Sequence, residues 1–202
     1  MPHRTLFTIG HSTRSWEEFV QLLAAWKIRR LIDVRSVPRS AKVPQFSKEK
    51  MKTALAKAGI EYWHLILLGG LRHTTKQSIN TGWRNASFRG YADYMQTPDF
   101  DTGLAELNRL ARAKRTAIMC AEAKWWSCHR RMIADAELVR GIPVRHIMTP
   151  QQARSHNLTP FARVRRRRGA PPTVTYPASE LPARAMPAPA LVRERRGPRA
   201  KR

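Results

Sequence analysis

The chain has 202 residues, 42% of them hydrophobic, enough for one domain with a core and some further length. Its formal net charge of +24 favours polyanionic partners, nucleic acid before acidic lipid, because no amphipathic apolar face accompanies the charge. No apolar run approaches the roughly 18 residues of a membrane span, the opening MPHRTLFTIGH lacks the apolar run and cleavage site of a signal peptide, and two cysteines make no secreted disulfide framework. A cytoplasmic protein with reduced thiols and no membrane partner is expected.

Thr5 to Ile9 is a short apolar run ended by Gly10 and reads as a first buried strand. Ser15 and Glu18 then form a capping-box pattern, opening a helix whose Trp16, Phe19, Leu22, Leu23 and Trp26 recur at helical spacing. Leu31 to Val34 reads as a second strand, with a polar, proline-interrupted loop after it to about Phe46. Ser47 starts a basic helix, Lys48 to Ala58, stopped by Gly59. Tyr62 to Leu68 reads as a third strand covered on both faces, since it is apolar apart from His64.

About twenty residues without periodicity follow Gly69-Gly70, a length that is usually functional or disordered. Helical pieces are expected over Tyr91–Gln96 and Phe100–Ala113, a strand over Thr116–Ala121 and a helix from Ser127 or Cys128 to Arg140. Val144 to Met148 is a last short strand. The alternation predicts an α/β fold: a mostly parallel open sheet of about five strands with helices on both faces. The domain, residues 1–150, is expected to end where proline, alanine and arginine take over. Residues 151–202 carry 13 Lys/Arg against 2 Asp/Glu, compared with 25 against 12 before them. This second part reads as a disordered basic tail that binds nucleic acid without sequence preference, unless the arginines are compositional drift.

In a parallel sheet the loops after the strands gather at one edge, where such folds bind ligands. Those loops hold His11 and Ser12, then Asp33, Arg35 and Arg39, then Gly69, Gly70 and Arg72, and finally Glu122, Cys128, His129 and Arg130. Glu122 at a strand exit reads either as a base or as the partner of Arg35 or Arg130. Cys120, within an apolar strand, reads as a small core residue. Cys128 at a helix start reads as a thiol favoured as thiolate beside an anion pocket clamped by Arg130. Trp125 and Trp126 either stack a base or pack against the sheet. Cys120, Glu122, Cys128, His129 and His11 include enough donor types for a metal, but the spacing is not that of a zinc finger and adjacent Cys-His rarely share an ion. No metal ligands and no cofactor are therefore assigned. A tyrosine-phosphatase loop is excluded because no arginine lies six residues after either cysteine.

Thr8-Ile9-Gly10-His11-Ser12, Ile32-Asp33-Val34-Arg35 with Pro38 and Arg39, Leu68-Gly69-Gly70, Phe88-Arg89-Gly90-Tyr91 with Tyr94-Met95, and Cys120-Ala121-Glu122 with Cys128-His129-Arg130 form a pattern over residues 5–147. In this the chain resembles the bacterial domain of unknown function 488 family. The resemblance implies an α/β domain and assigns no activity. Between Glu122 and Cys128 the chain has Ala123-Lys124-Trp125-Trp126-Ser127, where relatives carry a Lys-Asp-Pro-like segment.

The leading expectation is an enzyme acting on a phosphate-bearing substrate, a nucleotide or nucleic acid, at the sheet edge. Arg35, Arg39, Arg72 and Arg130, with Ser12, would hold the anion; Glu122 or Asp33 would serve as base and His11 or His129 as acid or base. The alternatives are a non-catalytic nucleic-acid-binding module and a thiol- or metal-dependent site at Cys128.

Overall fold

Alternate strand residues face opposite ways, and in this chain each set is covered by its own helices. The computed structural model describes residues 5–39 and 42–178. Five parallel strands, β1 (Leu6–Gly10), β2 (Arg30–Asp33), β3 (Glu61–His64), β4 (Thr116–Cys120) and β5 (Val144–Ile147), lie in the order β3-β2-β4-β1-β5. A sixth, β6 (Ala153–Ser155), joins β5 antiparallel at the edge. The mostly parallel α/β sheet is as expected, with one strand more.

Helices α1 (Trp16–Ala25) and α2 (Lys48–Lys57) cover one face, meeting Phe7, Ile9, Leu31, Ala117 and Met119 through Phe19, Leu22, Leu23, Met51 and Leu55. The other face, with Leu6, Ile32, Ile118 and Cys120, is covered by α3 (Ala86–Tyr94), α4 (Pro98–Ala113) and α5 (Arg130–Val139). The capping box forms as the sequence predicts: Ser15 Oγ accepts from Glu18 N, and Glu18 reaches back to Ser15 N. In α4, Phe100, Leu104, Leu107 and Leu110 are buried on one stripe, each worth about 1.5–3 kcal/mol relative to exposure.

The third strand is shorter than its apolar run. It ends at His64, and Ile66–Leu68 forms a 3-10 turn. The reason is position: β3 is an edge strand, with Trp63 and Ile66 exposed, so the run is not covered on both faces. Leu68 still enters the core, and the Tyr91 and Tyr94 hydroxyls donate to the Leu68 and Leu67 carbonyls. The long loop after Gly70 is gathered by one carboxylate. Asp93 accepts from Thr75 N and from the side chains of Thr75, Ser78 and Asn80.

The ordered unit also runs past the boundary expected near residue 150. After β6, an antiparallel hairpin of β7 (Arg163–Arg167) and β8 (Ala170–Thr175) packs near α5. Asp135 of α5 is the anchor: its carboxylate accepts from the Thr159 amide and hydroxyl, the Tyr176 hydroxyl and His156 Nε2. Such charge-assisted bonds fix a segment whose apolar residues are too few to do so alone. The expected tail beyond residue 178 lies outside the described residues. Among the described residues, no helix is long and apolar enough to cross a membrane.

Candidate functional site

Strands β1 and β4 are neighbours, yet β1 leads to α1 on one face and β4 to α5 on the other. Loops that part in this way open the crevice where open α/β sheets bind ligands. Here the parting is tight. The His11 and Ser12 amides donate to the Cys120 and Ala121 carbonyls at 3.1 and 2.8 Å. A Cβ on Gly10 would lie 1.9 Å from the Glu122 carbonyl oxygen, so only glycine fits the crossing.

The face covered by α1 and α2 carries the first polar cluster. Asp33, fully buried, receives Arg35 Nε at 2.9 Å and Nη2 at 2.6 Å, and the Tyr62 hydroxyl at 2.8 Å. Arg35 Nη2 also donates to the Phe46 carbonyl and Nη1 to His11 Nε2 at 3.2 Å. His11 Nδ1 faces the Ser12 carbonyl at 2.9 Å, which assigns its proton to Nδ1 and leaves Nε2 as acceptor. The ring stacks on Phe46 with centroids 4.4 Å apart. Burial, with the nearby Arg35 and Arg130 charges and against the Ser12 hydrogen bond, lowers its pKa to about 4. A neutral imidazole with both nitrogens committed is poorly placed for acid–base work at neutral pH.

The second cluster lies across the sheet. Cys120 ends β4; Cys128 follows a 3-10 turn (Trp125–Ser127) with extended backbone, and His129 has helical dihedrals as the N-cap of α5. This one-residue change of backbone swings adjacent side chains to the same place. His129 Nδ1 is 3.6 Å from Cys128 Sγ and 3.9 Å from Cys120 Sγ. Its Nε2 is 2.9 Å from the Val34 carbonyl, which can only accept, so Nε2 carries the proton. The Nδ1 lone pair therefore either takes a thiol proton or is offered to an ion. Arg130, almost wholly buried, donates from Nε to Cys128 Sγ at 3.3 Å and from Nη2 to the Glu122 carbonyl.

Burial pushes the Cys128 thiol up, but contact with Cys120 and the buried Arg130 charge outweigh it and hold Cys128 well below the usual thiol range. The same contact, then burial, pushes Cys120 well above it. The two Sγ atoms and an imidazole nitrogen, all buried, lie within 4.8 Å of one another, which fits three ligands of a Cys2His metal site. Gly70 closes one side, where a Cβ would be 2.4 Å from His129 Nδ1.

The remaining sequence candidates divide. Glu122 is exposed, and among the described residues its carboxylate has no hydrogen bond or ion pair, so pairing with Arg35 or Arg130 does not occur. Arg39 is exposed and likewise unengaged. Arg72 lies 3.6 Å over the Tyr94 ring and donates to the Gly69, Ile66 and Leu67 carbonyls, securing a turn. Ser12 is half-buried in a left-handed conformation, its amide and carbonyl both bonded. Cys128 precedes the helix and is not in its first turn. Trp125 packs: its ring stacks on His146 at 3.9 Å.

Sequence reasoning weighed Cys120 with His129 as metal donors but set it aside as a core residue, and it missed a buried chain beneath the site. The Thr8 hydroxyl meets His146 Nδ1 at 2.8 Å, His146 Nε2 meets His156 Nδ1 at 3.0 Å, and His156 Nε2 meets Asp135 at 2.9 Å. The available signal was Asp135 among the apolar residues Met132, Ile133 and Val139 of one helix, which demands a buried partner.

An α/β sheet with a thiol–imidazole cluster at the carboxyl ends of its central strands defines the class of protein. Within that class, the chain belongs to the family described as Domain of unknown function DUF488, whose profile matches residues 15–137. The match spans Asp33 and Arg35 and the whole Cys120, Cys128, His129 and Arg130 cluster, and stops before β5. No curated protein and no solved structure is significantly similar to the chain.

Proposed function

We propose that the protein is a metal-dependent hydrolytic enzyme acting on a phosphate-bearing substrate, with Cys120, Cys128 and His129 holding a zinc-like divalent ion. One observation carries this reading: His129 is anchored through Nε2–H on the Val34 carbonyl, and its free nitrogen faces two sulfurs at 3.6 and 3.9 Å. A ligating histidine is commonly oriented in this way, its second nitrogen donating to a carbonyl. Two thiolates and one imidazole are a donor set of zinc sites that keep a position for water or substrate. When bound, the ion supplies a Lewis acid at the sheet edge. Arg130 supports the arrangement by stabilising Cys128 as thiolate.

The phosphate clamp imagined from sequence is smaller in the fold. Arg35 is saturated by Asp33, Phe46 and His11, Arg130 holds Cys128 and Glu122, and Arg72 holds its turn. Of the four arginines expected to hold the anion, Arg39 has the guanidinium left unengaged among the described residues for a substrate phosphate, and Glu122 likewise offers a carboxylate for proton transfer.

The test begins with zinc content of the reduced, purified chain, expected at one per chain, and with a thiolate-to-metal charge-transfer band after cobalt substitution. Cys128→Ser and His129→Ala should each abolish the band, whereas Arg130→Gln should weaken binding by roughly 10–100-fold, the scale for loss of a supporting contact. Glu122→Gln should keep the metal and lose turnover of bis(p-nitrophenyl) phosphate. A wild-type chain that takes up neither zinc nor cobalt sinks the reading.

A further inference from the structure

The hairpin after β6 is unlike the rest of the surface. Residues 151–178 contain six arginines and no acidic residue, and five of the six, Arg163, Arg165, Arg166, Arg167 and Arg168, lie on β7 and its turn. All five are exposed, and among the described residues none of their side chains makes a hydrogen bond or ion pair. The nearby acids are engaged elsewhere: Asp135 holds His156, Thr159 and Tyr176, Asp101 pairs with Arg140, and Glu137 is buried. Alternate positions on a strand are about 6.6 Å apart, within a Debye length of about 8 Å, so like charges there repel one another.

The ribbon is nevertheless held in a fixed pose. Val164 pairs with Val174, which is buried, and the hairpin ends in Tyr176, fully buried with its hydroxyl on Asp135. Because strand side chains alternate, Arg163 and Arg165 stand on the face opposite Val164. At Arg166 the register shifts, and this residue lines a shallow cleft with Leu138, Val139 and Arg140 at the end of α5.

We propose that this hairpin is a docking ribbon for duplex DNA, gripping phosphates without reading sequence. Alternate arginines on a strand are spaced roughly 6.6 Å apart, close to two rises of about 3.4 Å along one DNA strand. A two-stranded ribbon is a width that the major groove of B-DNA admits, whereas the A-form groove of RNA is too narrow. Single strands are bound by stacking bases on aromatic rings, and the ribbon, RVRRRRGAPPTVT, has none. Its position gives it independence from the metal centre: the cleft lies at the last turn of α5, and Cys128 precedes the first, about 15 Å away along ten residues.

The test is binding of a fluorescent mixed-sequence 20-base-pair DNA by the full chain across 50–200 mM salt. Each phosphate contact contributes about 0.9 to the log–log slope. The triple substitution Arg163→Gln, Arg165→Gln, Arg167→Gln should therefore flatten the slope by about 2.7 while leaving zinc content and melting unchanged. The corresponding triple lysine variant should restore the slope. No binding by wild type, an unchanged slope in the glutamine triple, or equal preference for single-stranded DNA or duplex RNA would each overturn the proposal.

Discussion

Two buried polar clusters sit at the same edge of the sheet, on opposite faces, and only one of them is finished. Around Asp33 the donors and acceptors match: Arg35, Tyr62 and the Arg35 amide meet one carboxylate, and the rest of the guanidinium is taken by His11 and Phe46. Around His129 a nitrogen lone pair points at two sulfurs, at 3.6 and 3.9 Å. Burial is similar, so burial does not distinguish structure from site. The difference lies in what is left over. A matched network holds loops together; one with surplus electron pairs is what the proposed metal ion would complete.

That contrast can be broken by substitutions ranked by effect. Asp33→Ala strands the Arg35 guanidinium in the core and should cost about 3–5 kcal/mol of unfolding free energy by urea titration, the range for one half of a buried pair. A cost below about 1 kcal/mol would show that the cluster does not hold the fold.

Glu137 is an intermediate case, buried with Asn108 on one carboxylate oxygen and, among the described residues, no hydrogen-bond partner on the other. Burial raises its pKa from 4.5 to about 7. The folded state then binds the extra proton, so its stabilising effect is complete below about pH 4.5 and is lost as pH rises towards 7. Glu137→Gln should raise stability at pH 8 by up to about 3 kcal/mol and leave it unchanged at pH 4. Paired melting curves at the two pH values decide it, and equal shifts at both would refute the assignment.

Tyr176→Phe removes one of the donors to Asp135 and should cost about 1.5–3 kcal/mol, the scale for a hydrogen bond to a charged group. Because it releases the hairpin, amide exchange should quicken over residues 163–176 and not in β1 or β4. The smallest effect is expected at the unfinished cluster: Cys128→Ser, which preserves a hydrogen bond to His129, should change the stability of the metal-free chain by about 1 kcal/mol or less. Zinc should raise the melting temperature of wild type and not of this variant. A large loss without metal would make Cys128 part of the framework after all.

The parallel sheet, the capping box and the α4 stripe were legible because each rests on a local rule or a short period. The strand-end principle also found the edge where both clusters lie. It did not say on which face each side chain would fall, and the faces separate the finished cluster from the unfinished one. Cys128 and His129 were judged poor co-ligands because adjacent Cys-His rarely share an ion, and consecutive residues on one helix do diverge, by about 100°. The extended dihedrals of Cys128, before a helical His129, remove that divergence. Beyond residue 150 the arginines masked the few anchors, Val174 and Tyr176, whose main support is a carboxylate about forty positions earlier.

Gly70 bears a consequence of its own. A methyl group there would be 2.4 Å from His129 Nδ1, inside any real contact distance. An alanine could be admitted only by turning the imidazole off the Val34 carbonyl, and the nitrogen would then no longer aim at the sulfurs. The aperture of the cluster is set by a hydrogen atom on a residue that offers no donor, charge or lone pair of its own side chain.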